Sequence, residues 1–387
     1  MSLSNLNNTS EQKETPSVKK KGHMLRNCII VILVLSVIYW ALINVLVSAV
    51  LVPSFMEKLD SFERIVEQSY AEQVQESSLQ QNATVMYVIG DSWAKRAAKE
   101  EVEVLSEDGY RLKGVIFPAL LPQARPQGGP SVETAVETAG REPWPQGGPA
   151  VDEPVKTAIE SHRWVILLHG YTGSKEMMYP YAYRYAQHGF NALAPDFRCQ
   201  GESEGDYIGL GATDSRDLLL WIGMILQRDP DAEIVLHGLS MGASAALILS
   251  GMEEIPHNVK AIISDCAFTD AYSMFREKIG SWFYLPAFPV VDSANLIIRL
   301  RAGYDLRETS PLNAVTRSRI PTLFIHGRED RMIPVEMCRQ LYDAAACPKE
   351  ILIIEGAGHA QAGTRDPELY FDTADRFLET YAGIAAD

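Results

Sequence analysis

Ser240 stands between two glycines in Ile234-Val235-Leu236-His237-Gly238-Leu239-Ser240-Met241-Gly242-Ala243-Ser244. The stretch reads as a buried strand, a tight turn carrying one serine, and a helix of small and aliphatic residues running to about Met252. A serine hydroxyl is a poor nucleophile in water, so an enzyme that uses one must push it clear of the backbone and set a base beside it. Gly238-x-Ser240-x-Gly242 meets the first need. In such an elbow the serine takes a strained conformation at a strand end, and a glycine two residues to either side lets strand and helix pass without a side-chain clash. The turn also places the Met241 N–H at a helix N-terminus, where unpaired amides and the helix dipole favour the negative oxygen of a tetrahedral intermediate. Two glycines around a serine also arise by chance, so the pattern needs partners elsewhere in the chain.

Two later stretches supply them. His326-Gly327-Arg328-Glu329-Asp330 follows one apolar run, and Glu355-Gly356-Ala357-Gly358-His359 follows the last. His359 is the candidate general base, because an imidazole can take the serine proton and return it to a leaving group near neutral pH. Asp330 is the candidate for fixing the imidazole tautomer and stabilising the imidazolium, with Glu329 its rival one residue away.

These residues need a frame. Short β-branched runs at 164–169, 192–196, 233–238, 260–265, 322–327 and 350–355 read as strands. Helical patterns near 176–188, 212–227, 241–252, 335–345 and 367–381 separate them. Strands alternating with helices predict a doubly wound, mostly parallel sheet, in which ligands sit beyond the C-terminal strand ends. Two further strands, 101–105 and 110–117, read as a hairpin through Asp108-Gly109.

At this point the chain resembles the α/β-hydrolase family over roughly residues 101–383. Ser240, Asp330 and His359 come in the family's order of nucleophile, acid and base. His169-Gly170-Tyr171 is similar to the family's H-G-x oxyanion loop, which implies that the Tyr171 N–H joins that of Met241 in binding the oxyanion and that His169 shapes the turn. The family's D-x-R-G-x-G-x-S turn appears as Asp196-Phe197-Arg198-Cys199-Gln200-Gly201-Glu202-Ser203, with Cys199 where glycine is usual. That departure bears on the loop, not the triad. The resemblance implies an α/β fold with an eight-stranded α/β-hydrolase sheet and a short helical cap.

Other polar residues have plainer readings. Asp196 and Asp265 are expected to accept hydrogen bonds from loop backbones, and Asp214 and Asp217 to serve the start of a helix. Cys266 follows Asp265 with no base assigned to it. About fifty residues separate the strands ending at Asp265 and starting at Thr322, more than a crossover helix needs, so residues 269–313 are read as a cap. Its Tyr272, Met274, Phe275, Trp282, Phe283, Tyr284, Phe288 and Leu296 could seal the cap onto the body or contact substrate. As a set they favour an apolar acyl or alkyl group over a sugar or phosphate.

The net charge of −15 argues against a nucleic-acid partner. Cys28, Cys199, Cys266, Cys338 and Cys347 form neither a C-x-x-C pair nor a Cys/His cluster with zinc spacing, so no metal or other cofactor is implied. Residues 28–52 carry no charge and are long enough for a transmembrane helix. The run exceeds a typical signal h-region, although Val47-Ser48-Ala49 would suit a cleavage site. Lys19, Lys20, Lys21 and Arg26 before it, against a mostly acidic flank after it, place residues 1–27 in the cytoplasm as a disordered tail and the catalytic domain outside. Residues 53–100 read as a polar helical stalk with too few apolar positions for a core, and 101–387 as the hydrolase domain. Within that domain, 119–158 is a Pro/Gly-rich insertion in which Pro126-Gln127-Gly128-Gly129-Pro130 recurs as Pro145-Gln146-Gly147-Gly148-Pro149. The chain is therefore read as a membrane-anchored serine hydrolase acting on a small-molecule acyl ester. A peptidase acting on a peptide-like substrate, a thioesterase, or a catalytically silent binding module of the same fold are the alternatives.

If the insertion is solvated and faces outward, trypsin added to intact cells should cut after Arg141 and Lys156 and spare Arg125, which precedes Pro126. Protection in intact cells with cleavage after lysis would reverse the orientation.

Overall fold

The computed structural model describes residues 16–53, 77–120 and 160–384. Most of the 119–158 insertion therefore lies outside the described residues. Its first two residues, Ala119 and Leu120, are tied to the domain through Asn191 Oδ1 and the Ala186 carbonyl.

Helix α1 spans Pro16–Leu51 and α2 Ser77–Arg96. The sheet is built from β1 (Glu100–Leu105), β2 (Arg111–Phe117), β3 (Arg163–Leu168), β4 (Asn191–Pro195), β5 (Glu233–Leu239), β6 (Val259–Asp265), β7 (Thr322–Gly327) and β8 (Lys349–Ile354). Its eight strands run in the order β1-β2-β4-β3-β5-β6-β7-β8. β2 is antiparallel to β1 and β4, and every other pair is parallel. The sheet is thus mixed at the hairpin edge and parallel where the site lies. After β3 come α3 (Tyr179–Gln187), α4 (Asp214–Arg228), α5 (Met241–Ser250), α6 (Ala271–Phe283), α7 (Ala287–Ala302), α8 (Pro311–Val315), α9 (Val335–Ala344), α10 (Ala362–Arg365) and α11 (Pro367–Ala382).

Alternation along β5 sends Ile234 and Leu236 to one layer and Val235 and Leu239 to the other, as a strand covered on both faces requires. One layer holds α4, α5 and the cap helices α6 and α7. The opposite layer holds α2, α3 and α11. The pattern read as one helix over 176–188 is a 3₁₀ turn, Lys175–Met178, followed by α3 with Pro180 in its first turn.

Two boundaries differ from the sequence expectation. α1 begins at Pro16, inside the segment read as a tail, where proline suits a first helical position and the lysines after it are good helix formers. The end of the stalk belongs to the folded domain. Trp93 is buried, 4.7 Å from the Phe117 ring, and a Cβ at Gly90 would crowd the Pro180 backbone. Trp93 and Ala94 are buried there, with Met86 and Ala97 packed beside them, and Gly90 lets the helix approach Pro180 closely.

The Asp196–Ser203 turn keeps its shape despite Cys199. That residue has φ 61°, the left-handed conformation glycine normally supplies, at a steric cost of about 1–2 kcal/mol. Buried contacts hold it there. Arg198 makes a bidentate pair with Asp217 at 2.7 Å and also reaches Asp108. Ser203 Oγ donates to the Asp196 carbonyl and accepts from the Lys113 N–H. Asp217, expected to serve the start of α4, is therefore mainly the partner of Arg198.

Arg198→Ala would leave the Asp217 carboxylate buried without its counter-ion, and should cost about 3–5 kcal/mol of stability. Denaturant unfolding followed by circular dichroism measures this, and an unchanged midpoint would show that Asp217 finds another partner.

Candidate active site

β5 delivers Ser240 through a turn that only glycines permit. A Cβ at Gly238 would overlap the Ala243 amide, and one at Gly242 would overlap the Leu168 carbonyl oxygen. Strand β3 and helix α5 can therefore close on the turn. Ser240 itself has φ 53° and ψ −112°, a strained conformation for a residue with a side chain. Its N–H donates to the Asp265 carbonyl at 2.8 Å, and its carbonyl accepts from the Ser244 N–H and Oγ. These backbone bonds hold the strain in place.

The three residues that sequence spacing singled out meet at this turn. His359 Nε2 lies 2.9 Å from Ser240 Oγ, and His359 Nδ1 lies 2.7 Å from Asp330 Oδ2. Asp330 and His359 are buried, and Ser240 is 9% exposed. Asp330 has donors on both oxygens. The Met332 and Ile333 N–H groups donate to Oδ1 at 2.8 Å each, while His359 and, at 3.2 Å, His326 Nε2 face Oδ2. Burial would raise its pKa, but His359, His326 and these hydrogen bonds hold it well below the usual carboxylate range. Glu329, the rival, is exposed at the surface.

The loop after β3 lies against the serine, since a Cβ at Gly170 would sit 3.6 Å from the Ser240 Cβ. His169 shapes that loop. Its Nε2 accepts from the Phe197 N–H at 3.0 Å, so Nδ1 carries the hydrogen and donates to the Gly170 carbonyl at 2.8 Å. Burial lowers its pKa, which favours this neutral tautomer. Lys175, also buried, pairs with Asp196 at 2.7 Å, and Asp196 further accepts from the Lys175 and Glu202 N–H groups. The expectation for Asp196 is met. Met241 begins α5 directly after Ser240, and Tyr171 follows Gly170, so both amides belong to the turns flanking the hydroxyl. The Tyr171 hydroxyl donates to the Val50 carbonyl of α1 at 2.5 Å.

Three features escape the sequence reading. His326, at the end of β7, donates from Nε2 to the Ile333 carbonyl at 2.8 Å and so fixes the loop that carries Asp330. A polar residue inside an apolar strand four residues before the acid was its only signal. Cys266, given no base on sequence, has its sulfur within 4.8 Å of ligand atoms of Asp330 and His359. Burial pushes its thiol well above the usual range, and both His359 nitrogens already face Ser240 and Asp330. The Asp265 carboxylate accepts no backbone N–H, contrary to expectation. It is fully buried with Tyr370 as its polar neighbour, and burial raises its pKa to about 6.

A sequence model described as the alpha/beta hydrolase family matches residues 165–373, more than half of the chain. The chain belongs to the alpha/beta hydrolase family. This hydrolase is 30% identical over 216 residues to the protein YqkD of Bacillus subtilis, covering 56% of the chain and 70% of that relative. It is 27% identical over 207 residues to the lysophosphatidylserine lipase ABHD12 of Danio rerio, covering 49% of each. Among solved structures, an esterase of Pyrococcus furiosus superposes with a TM-score of 0.52 at 20% identity, covering 74% of this hydrolase and 93% of that chain. The last likeness speaks for the fold.

Asp265 supplies a pH test. Its folded pKa of about 6 lies above the ordinary 3.8, so the stability it contributes is fully present below 3.8 and is lost as pH rises through 6. Asp265→Asn removes that loss. It should raise the melting temperature at pH 8 by more than at pH 5, with a gain of up to about 3 kcal/mol at the higher pH. An equal shift at both values would mean that the carboxyl does not titrate in this range.

Proposed function

We propose that this hydrolase is a membrane-anchored serine hydrolase that cleaves a carboxylic ester through an acyl-enzyme. The observation that carries the reading is the continuous chain from Ser240 Oγ through His359 to the donor-saturated Asp330 carboxylate. With Nδ1–H directed at Asp330, the Nε2 lone pair faces the serine hydroxyl and can accept its proton as Oγ attacks the carbonyl carbon. The resulting imidazolium sits beside a carboxylate that stays ionised. The Tyr171 and Met241 N–H groups hold the carbonyl oxygen as it becomes negative. His359 then returns the proton to the leaving alkoxide, and water repeats the sequence to free the acid.

The inner side of the cap is apolar, which favours an apolar acyl group. A cavity of about 50 Å³ between α1 and the cap is lined by Leu46, Val50, Phe275, Ile279, Val290 and Ala294. The zebrafish relative named as a lysophosphatidylserine lipase favours a lipid ester over a peptide. The apolar helix over Arg26–Leu51 is long enough to cross a bilayer, and the basic residues before it favour a cytoplasmic N-terminus with the catalytic domain outside.

Ser240→Ala should abolish labelling by a fluorophosphonate and lower ester turnover at least about a thousandfold. Asp330→Asn should be severely impaired with a normal circular dichroism spectrum, and Glu329→Gln should not. Labelling that survives Ser240→Ala would place the nucleophile elsewhere.

A further inference from the structure

Helix α1 shows two kinds of surface along its length. Through Leu42 its described side chains are exposed on every side except at half-buried Tyr39, whereas Ile43, Val47 and Leu51, spaced four residues apart, are buried against the domain. Even counted from Arg26, the stretch ending at Leu42 rises only about 26 Å, short of the roughly 30 Å of hydrocarbon in a bilayer. A crossing that starts at the first apolar residue, Cys28, ends near Val47, and tilt carries it further. Part of α1 that the domain already covers must therefore lie within the membrane.

Helix α7 accompanies that part. The Tyr39 hydroxyl meets Ser293 Oγ at 2.9 Å, and Arg301 Nη1 donates to Ser48 Oγ at 2.9 Å, so the two helices run side by side in the same direction. Ser293 is level with a residue of α1 inside the hydrocarbon. Arg301 is level with the end of the crossing, where a guanidinium can reach headgroups. The turn joining α6 to α7 lies beyond Ser293, further toward the lipid-exposed length of α1. It is there that the cap is most apolar on its outside. Tyr284 is 91% exposed, Phe288 77% and Leu300 78%, with Leu285 and Leu296 also open. Neighbouring charges are paired, Asp292 with Arg307 and Arg299 with Asp305.

We propose that this face of the cap is a second membrane contact, with the α6–α7 turn and the outer side of α7 seated in the leaflet beside α1. The inference rests on the reading that α1 spans the bilayer. It accounts for aromatic and aliphatic side chains that would otherwise face water as a patch. It also deepens the substrate reading. The apolar cavity lies between the same two elements, and Tyr171, which follows Gly170 beside Ser240, holds the Val50 carbonyl at its wall. The substrate is then an ester whose acyl chain enters from the leaflet.

The full-length protein in phosphatidylcholine/phosphatidylglycerol nanodiscs tests this. In a Cys28→Ser background, Phe288→Cys, Val37→Cys and Asp231→Cys each carry a nitrobenzoxadiazole dye, with Asp231 an exposed residue in the turn before β5. The Phe288 site should give blue-shifted emission, lose quenching by aqueous iodide and be quenched by nitroxides on lipid acyl chains, as at Val37. The Asp231 site should be quenched by iodide alone. Iodide quenching at 288 with lipid quenching at 37 overturns the cap contact and leaves the span intact, whereas iodide quenching at both overturns the span and the inference with it. A second measurement reads function: Leu285→Asp with Phe288→Asp should lower turnover of long-chain esters in vesicles and spare a soluble short-chain ester. An equal effect on both substrates, or none on either, counts against the cap as a lipid contact.

Discussion

The close passage of α5 over the end of β3 is the constraint on which the rest of this site depends. Gly238 and Gly242 let backbone meet backbone, and the serine between them is forced into a left-handed conformation that its own side chain disfavours. The strain is local, but its support is not. The Ser240 N–H bonds to the end of β6, and the elbow also meets β3 and the first turn of α5. A hydroxyl held this way has few alternative positions, so a base placed once by the fold stays in line with it.

Left-handed backbone also gathers around the neighbouring residues. Thr172, Cys266 and Ala360 all have positive φ, and each lies at or next to a strand-end loop of the site. Glycine would relieve these positions. Side chains remain because buried polar contacts fix the loops instead: His169 between Gly170 and Phe197, Lys175 on Asp196, and His326 on the loop bearing Asp330. Below Ser240, His237 bridges the Tyr185 and Tyr370 hydroxyls and ties α3 and α11 to the nucleophile strand. Burial lowers its pKa to about 3, so it serves there as a neutral strut.

On the other face α1 and the domain form one packed body. Ile43, Val47 and Leu51 join the same apolar cluster as the cap, and the Ile208 N–H and the Tyr171 hydroxyl take the last carbonyls of α1. These bonds satisfy acceptors that a helix C-terminus leaves open. A tether would need none of this. As the proposed anchor, α1 is joined to the residue that carries a proposed oxyanion donor, and would fix how the site faces the bilayer as well as how close it lies.

Much of this was legible in the residues themselves. Short β-branched runs separated by helical patterns defined the sheet, because a strand covered on both faces must be apolar throughout. The glycines around Ser240 marked the elbow, since no other residue fits that crossing. Loops with strict backbone needs, such as those ending at Asp330 and His359, carry their signature locally. The meeting of Ser240, Asp330 and His359 was legible only as chain order, and the distances belong to the fold. What stayed hidden depends on partners distant in sequence. Asp265 and Asp196 look alike at strand ends, yet one is isolated by burial and the other is met by Lys175. Tyr284 and Phe288 read as sealing or substrate-binding residues, and both stand exposed on the outside of the cap. Local sequence sets what a segment prefers, but burial and pairing are properties of two surfaces brought together, and only the tertiary structure decides which surfaces those are.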